Sequence, residues 1–438
     1  MTLGKFLSLF FPNFLVYCIL FFVILCIYIC FLKRYVFHVL DPFFYQNIVS
    51  SSFATTTVAF LIYYGKINAV YAMNYFSTLL VFWFTFMFFA KKIPRKYVLV
   101  ETEKCHRMTS VFLNEKFFTL FVLFSFFNIF LQLFIYLKCG IPLFMHSRLE
   151  VNIYGGFVIG LVSRIQGLFS SFSMLMVFYV LFFSHGWKRL YGKIYFVVLL
   201  IFSFLSGSKG AFLTYIFLFS VFVYLTQLYN DKGKAMLVSK KIYLLLFPIV
   251  IITFCIIGLQ QKSNIFGIVQ HLFLRFAAYG DGYIYSYPNG VLEHVTKQNI
   301  GEFLFGDFLH TFRLIDSPRN LGFGFELTDL VYNVTGSTTG PNPRFNLVGY
   351  AYFGFVGSIF IAFLCGILLA VLRNLFIKSI DFMPISQVVI FFIYQKGSGV
   401  ETDLPGVISN FTTDLLLQVL ILFYLCFVVE NGCTRNKF

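Results

Sequence analysis

The sequence predicts an all-α protein, a polytopic transmembrane helical bundle with one large loop outside the membrane. Three observations carry that prediction. Of 438 residues, 59% are hydrophobic and 21% aromatic while only 12% are charged, and mean hydropathy is +0.84, more apolar surface than a water-soluble fold can hide. Apolar runs long enough to cross about 30 Å of hydrocarbon recur along the chain. Basic residues gather in alternate connections between them.

The runs fall at roughly 10–32, 46–65, 70–90, 117–137, 157–183, 194–206, 211–229, 242–259, 346–372, 379–395 and 406–429, eleven expected spans. The first is too long for the apolar core of a cleavable signal, and no small-residue cleavage site precedes Lys33-Arg34, so it is expected to remain as a span. Six segments hold 20 of the 33 basic residues: Lys33-Arg34, "KKIPRKYVLVETEKCHRM" with Lys116, "HGWKRLYGK", "NDKGKAMLVSKK", Arg373 with Lys378, and Arg435 with Lys437. These are the alternate connections of an eleven-span chain, which puts them in the cytoplasm and the N-terminus outside. The net charge of +15 is therefore a topology signal, and nucleic acid is not an expected partner. Most of the nine cysteines lie inside spans without a CxxC pair, so they read as small apolar residues and not as disulfides or metal ligands.

Three regions follow: N-terminal transmembrane helices over 1–259, a large outer loop over 260–345, and C-terminal transmembrane helices over 346–438. The loop carries seven acidic residues (Asp281, Glu293, Glu302, Asp307, Asp316, Glu326 and Asp329) and three histidines, His271, His294 and His310. Long loops in compact proteins are functional or disordered. The aromatic richness of "IFGIVQHLFLRFAAYGDGYIYSY" and "GEFLFGDFLHTFRLI" argues for order, as amphipathic helices on the outer leaflet.

One polar turn interrupts the apolar runs, Ser206-Gly207-Ser208-Lys209-Gly210. A glycine-rich turn entering a helix N-terminus offers free N–H groups and the positive dipole end to an anion, and Lys209 adds a full charge; a tight interhelical turn with a snorkelling lysine is the plainer alternative. Arg275 and Arg344 bracket the outer loop. Three cations at the outer ends of spans suit an anionic ligand, and a diphosphate matches the planar fork of arginine. There is no HExxH, GxxxxGKS, GxSxG or DxD motif, the nearest analogue of the last being Glu401-Thr402-Asp403 in a short outer connection. Metal-dependent, ATPase and serine-nucleophile mechanisms are accordingly disfavoured.

"FSFLSGSKGAFLTYIFLF" resembles the span-turn-span motif, often SGSRGA, of bacterial O-antigen polymerases and the related O-antigen ligases. "GPNPRFNLVGYAYFGFVGSIFIAFLCG" is similar to the element after that family's large periplasmic loop, with its Gly-x-x-Gly at Gly354 and Gly357. The resemblance implies a multi-pass protein of the bacterial inner membrane, with a GT-C-like fold and its active face in the periplasm. It implies a metal-independent glycosyltransferase that needs no cofactor and uses undecaprenyl-diphosphate-linked oligosaccharides as donor and acceptor, with a chain-length regulator in the same membrane as a further partner. The family's motif arginine falls on Lys209, and its arginine at the start of the large loop on Arg275. Ligases carry His-Asn where this chain reads Pro343-Arg344, which favours polymerase over ligase.

On this reading Lys209, Arg275, Arg344 and Ser208 bind the diphosphate, and the cations stabilise charge building on the leaving group. The acceptor hydroxyl must lose a proton, for which Asp281, Glu293 and His310 are candidates, Asp281 first because it lies six residues after Arg275. Tyr279, Tyr283, Tyr285 and Tyr287 could stack on sugar faces or serve as interfacial belt residues. A lipid-linked oligosaccharide transporter is the alternative of another class. It is disfavoured because neither repeated halves nor broken, charged mid-membrane helices are evident.

Overall fold

Away from water a backbone satisfies its own N–H and C=O groups only in helices or closed sheets, and this chain uses helices. The computed structural model describes residues 1–93, 115–145, 156–208, 211–226, 278–297, 299–312, 314–315, 322–337, 340–382, 384–416 and 418. All regular structure among them is helical. In chain order the helices are α1 (Leu3–Phe10), α2 (Phe14–Leu32), α3 (Ser50–Tyr63), α4 (Ala69–Phe89), α5 (Glu115–Cys139), α6 (Gly156–Phe183) and α7 (Gly186–Leu205). Then follow α8 (Ala211–Leu225), α9 (Asp281–Ser286), α10 (Ile300–Thr311), α11 (Phe323–Tyr332), α12 (Phe345–Lys378), α13 (Pro384–Gly397) and α14 (Leu404–Ser409).

Five stretches are helical, long and apolar enough to cross a membrane: Phe14–Tyr35, Ala69–Phe89, Phe117–Phe144, Val158–Phe183 and Phe345–Asp381. The expected run 46–65 is a helix too, with a π-helical start at Phe44–Val49 leading directly into α3. The expected run 242–259 lies outside the described residues. "HGWKRLYGK" is not a connection, because α7 already starts at Gly186. Lysine, arginine and leucine are good helix formers and carry the helix past its apolar part. Arg373 is not a loop cation either: it is wholly buried in α12, paired with Asp41.

The chain forms two compact units, the first comprising Met1–Ile93, His271–Leu375 and Ile393–Leu415, and the second Pro94–Gln270, Phe376–Phe392 and Leu416–Phe438. The second unit is tied by polar side chains between otherwise apolar helices, a form of interhelical adhesion suited to lipid. Gln166 on α6 donates to Asn128 Oδ1 and Gln132 Oε1 on α5, both at 2.9 Å, and Asn128 donates to the Tyr195 hydroxyl of α7 at 2.8 Å. Tyr215 of α8 reaches back to Ser203 Oγ (2.7 Å) and the Leu199 carbonyl (3.1 Å) of α7.

In the first unit α12 is two helices. Gly354 has φ 70°, ψ −168°, a conformation essentially reserved for glycine. There the chain folds back, so that a Cβ on Gly349 would stand 3.0 Å from the Cα of Ser358. The short arm, 345–353, thus runs alongside the long arm, 355–378. Its start is level with the middle of the long arm, because Phe345 stacks on Phe82 at 4.9 Å while Gly366 abuts the Phe82 carbonyl. A second break, 398–403, separates α13 from α14 and meets the start of the short arm: Leu404 N–H donates to the Pro343 carbonyl and Phe345 N–H to the Glu401 carbonyl.

Candidate functional site

The site grows from α3, whose sequence "SSSFATTTVAF" puts hydroxyls where a spanning helix ordinarily has aliphatic side chains. Ser50, Ser51, Ser52, Thr55, Thr56 and Thr57 are all buried. Several bond back to the carbonyl four residues earlier, as Ser52 does to Ile48 and Thr56 to Ser52, which lets a hydroxyl sit in an apolar helix without an unpaired donor. Others collect tyrosines from neighbouring helices. Thr55 Oγ1 meets the hydroxyls of Tyr28 (3.0 Å) and Tyr75 (2.8 Å), and Thr57 Oγ1 meets that of Tyr17 (2.9 Å).

At the Ser50 end of this face stands Arg344, 3% exposed, held where the 398–403 break meets the start of the short arm. Its Nε donates to the Tyr279 carbonyl (2.9 Å), Nη1 to Glu401 Oε1 (2.8 Å), and Nη2 to the Ser50 carbonyl (3.2 Å) and Ser50 Oγ (2.6 Å). Four bonds thus engage a group with five N–H donors. Burial opposes its charge, but Glu401, Tyr283, Tyr75 and Asp281 outweigh that and raise its pKa. Glu401 is 1% exposed; burial pushes its carboxyl above the ordinary 4.5 while Arg344 pulls the other way. Ser51 Oγ lies close enough to lower it too, yet neither that hydroxyl nor Glu401 Oε2 has a partner with hydrogen-bonding geometry, and Asn346 Nδ2 is likewise unsatisfied. Buried polar atoms without partners are uncommon in folded proteins, and one of these belongs to the ion pair itself.

The expected loop, 260–345, also contributes. Gly280 presses so closely on Thr57 of α3, and Gly282 on Leu347 of the short arm, that a Cβ at either would collide. Residues 278–287 therefore insert between helices and do not lie on a leaflet surface. Tyr283 donates to Asn346 Oδ1 at 2.8 Å. Tyr283 and Tyr287 are buried core residues, with Tyr287 stacked on Tyr71 at 5.2 Å, so neither offers a free face to a sugar. Tyr279, 39% exposed, stacks one ring face on Phe53 at 5.9 Å while its carbonyl binds the guanidinium.

Of the residues expected from sequence, Arg344 and Asp281 come together, the carboxylate at the start of α9 acting on the arginine's charge. Glu293 is elsewhere, accepting a hydrogen bond from Tyr71 at 3.3 Å. His310 is at the C-terminal turn of α10, its Nδ1 3.2 Å from the Ile315 carbonyl. Ser208, in the second unit, follows the left-handed Gly207 that ends α7; its N–H donates to Ser206 Oγ at 3.2 Å and its carbonyl accepts from Ala211 N–H. Lys209 and Arg275 lie outside the described residues. Among the described residues no group of three His, Cys, Asp or Glu could hold a metal ion.

Glu401, Ser50, Ser51 and Asn346 were not expected. The hydroxyl run was the available signal, since a serine- and threonine-rich stretch inside an apolar span needs polar company. A second buried pair, Arg373 with Asp41, is enclosed by Phe37, Phe43 and Tyr394 around the guanidinium and receives the Tyr35 carbonyl at 2.8 Å. No protein-family model matches the sequence, and neither the curated proteins nor the solved structures contain a match.

Proposed function

We propose that the chain is a membrane glycosyltransferase that joins lipid-diphosphate-linked oligosaccharide repeat units, as do the O-antigen polymerases its motifs resemble. On this reading it is an eleven-span, GT-C-like protein of a bacterial inner membrane with its active face in the periplasm. The observation that carries the proposal is the Arg344–Glu401 pair, buried 2.8 Å apart where the 398–403 break meets the start of the short arm. Ionisable residues at such depth are expensive and mark functional sites by default. In the reaction an acceptor hydroxyl attacks the anomeric carbon of the donor sugar, the bond to the lipid diphosphate breaks, and the electron pair leaves with the diphosphate. Arg344 stabilises that growing charge, with Arg275 and Lys209 as the further cations expected from sequence. The hydroxyl proton passes to a carboxylate, for which Glu401 and Asp281 are the two near Arg344.

Cells in which the chain carries Arg275→Ala or Arg344→Lys should display lipid A core bearing a single repeat unit, because loss of such a contact raises the barrier by roughly 3–4 kcal/mol. Normal long-chain ladders from both variants, at matched membrane abundance, would remove these residues from the mechanism. The fold-back at Gly354 and the break between α13 and α14 favour a second reading, a transporter of lipid-linked oligosaccharide, since discontinuous helices around a buried site are that class's hallmark. Covalent chain growth separates the two.

A further inference from the structure

We infer that Glu401 is an internal placeholder for the ligand's anion: it occupies the fork of Arg344 in the resting protein and must be displaced before a diphosphate can bind there. The inference rests on the proposed diphosphate reading and adds a resting-state lock to it. Four observations support it. Arg344 is nearly saturated, with four bonds made from five donors, so an incoming phosphate gains the guanidinium only by taking over an acceptor's place. Of its acceptors, the carbonyls of Tyr279 and Ser50 are fixed by the backbone. Glu401 is the side chain whose carboxylate imitates a phosphate oxygen in charge and in geometry toward arginine.

The pair is also incompletely satisfied: Glu401 Oε2 is buried with Ser51 Oγ nearby but without a well-formed hydrogen bond, and a buried carboxylate oxygen so placed is uncommon in a finished site. Finally, Glu401 sits in the 398–403 break between two helices. Its backbone there is outside a helix but is held by the Phe345 N–H on its carbonyl, so the displacement is a rotation of the side chain and not a movement of the break. An alternative purpose for Glu401, merely holding Arg344 in position, predicts the opposite response to its removal. A placeholder lowers apparent affinity by the fraction of molecules in which it is displaced.

The test titrates inorganic pyrophosphate and, separately, farnesyl diphosphate into the full-length protein in lipid nanodiscs, comparing the parent with Glu401→Gln by calorimetry. The variant should bind both probes about tenfold more tightly, the gain expected where only a tenth of parent molecules present a free fork. Tightening confined to farnesyl diphosphate would assign the effect to the lipid-borne group and still uphold the placeholder. Equal or weaker binding by the variant, with the parent binding normally, overturns the placeholder and leaves the diphosphate reading intact. Absence of binding by both proteins overturns both. Should the variant fail to fold, the parent protein decides: labelling of Glu401 by a hydrophobic carbodiimide, read by mass spectrometry, should rise when pyrophosphate is added. Unchanged or reduced labelling contradicts displacement.

Discussion

Arg344 and Glu401 illustrate why a buried ion pair is better evidence of function than of stability. Removing two charges from water costs several kcal/mol per ion, and their attraction recovers that only with good geometry and further hydrogen bonds. Arg344 meets that condition and Glu401 meets half of it. Arg344→Met should therefore destabilise the protein by about 3–5 kcal/mol through the uncompensated carboxylate left behind, whereas the double variant Arg344→Met, Glu401→Leu should recover most of that loss. Thermal unfolding in detergent checks both, and a double variant no more stable than Arg344→Met would contradict the account. A second residue-scale prediction concerns Asp329, whose carboxyl lies below its ordinary 3.8 because the Ser337 hydroxyl and the Ser337 and Gly336 N–H groups bond to it. A depressed folded-state pKa means that this stabilisation is present above the ordinary value and is lost as pH falls through the folded one. Protection of the Gly336 and Ser337 amides against exchange, relative to their intrinsic rates at each pH, should fall at acid pH in the parent and be low at every pH in Asp329→Asn.

Helix breaks, more than the helices themselves, build the site. Gly354 permits the fold-back that sets Arg344 beside the middle of the long arm, and no residue with a Cβ adopts its dihedrals without strain of about 1–3 kcal/mol. Gly354→Ala should accordingly lower stability by that amount, read by thermal unfolding; an unchanged melting temperature would mean the fold-back is not there. The apolar runs that lie among the described residues were legible in the sequence because hydropathy alone favours helices there. The fold-back was not, since "FNLVGYAYFGFVGSIFIAFLCG" reads equally well as one straight span, and only a straight span puts Arg344 at a membrane edge. The partner at position 401 was hidden for a like reason: 57 residues separate it from Arg344, and the pairing follows from the 398–403 break meeting the start of the short arm. The argument against a transporter drawn from unbroken helices fails on these two breaks. The "SGSKG" turn offers another element-scale test. If it binds diphosphate, Lys209→Arg should keep substantial polymer and Lys209→Met should lose most of it. A full ladder from the methionine variant would make it a hinge with a snorkelling lysine.

At the scale of the whole molecule, the account rests on a covalent reaction carried out inside a helical bundle. Orientation can be checked independently: cysteines at Ser337 and Lys209 should react with a membrane-impermeant thiol reagent in cells with a permeabilised outer membrane, and one at Lys104 should not. Labelling of position 104 alone would put the large loop in the cytoplasm. The most direct measurement of the central claim uses the purified protein in lipid, supplied with undecaprenyl-diphosphate-linked repeat units and neither metal nor nucleotide. The account predicts a ladder of longer lipid-linked glycans with one undecaprenyl diphosphate released per added unit, lost when Arg344 is replaced by lysine. Repeat units that cross the bilayer of sealed vesicles unchanged in length, with no undecaprenyl diphosphate released, would contradict it and identify a transporter.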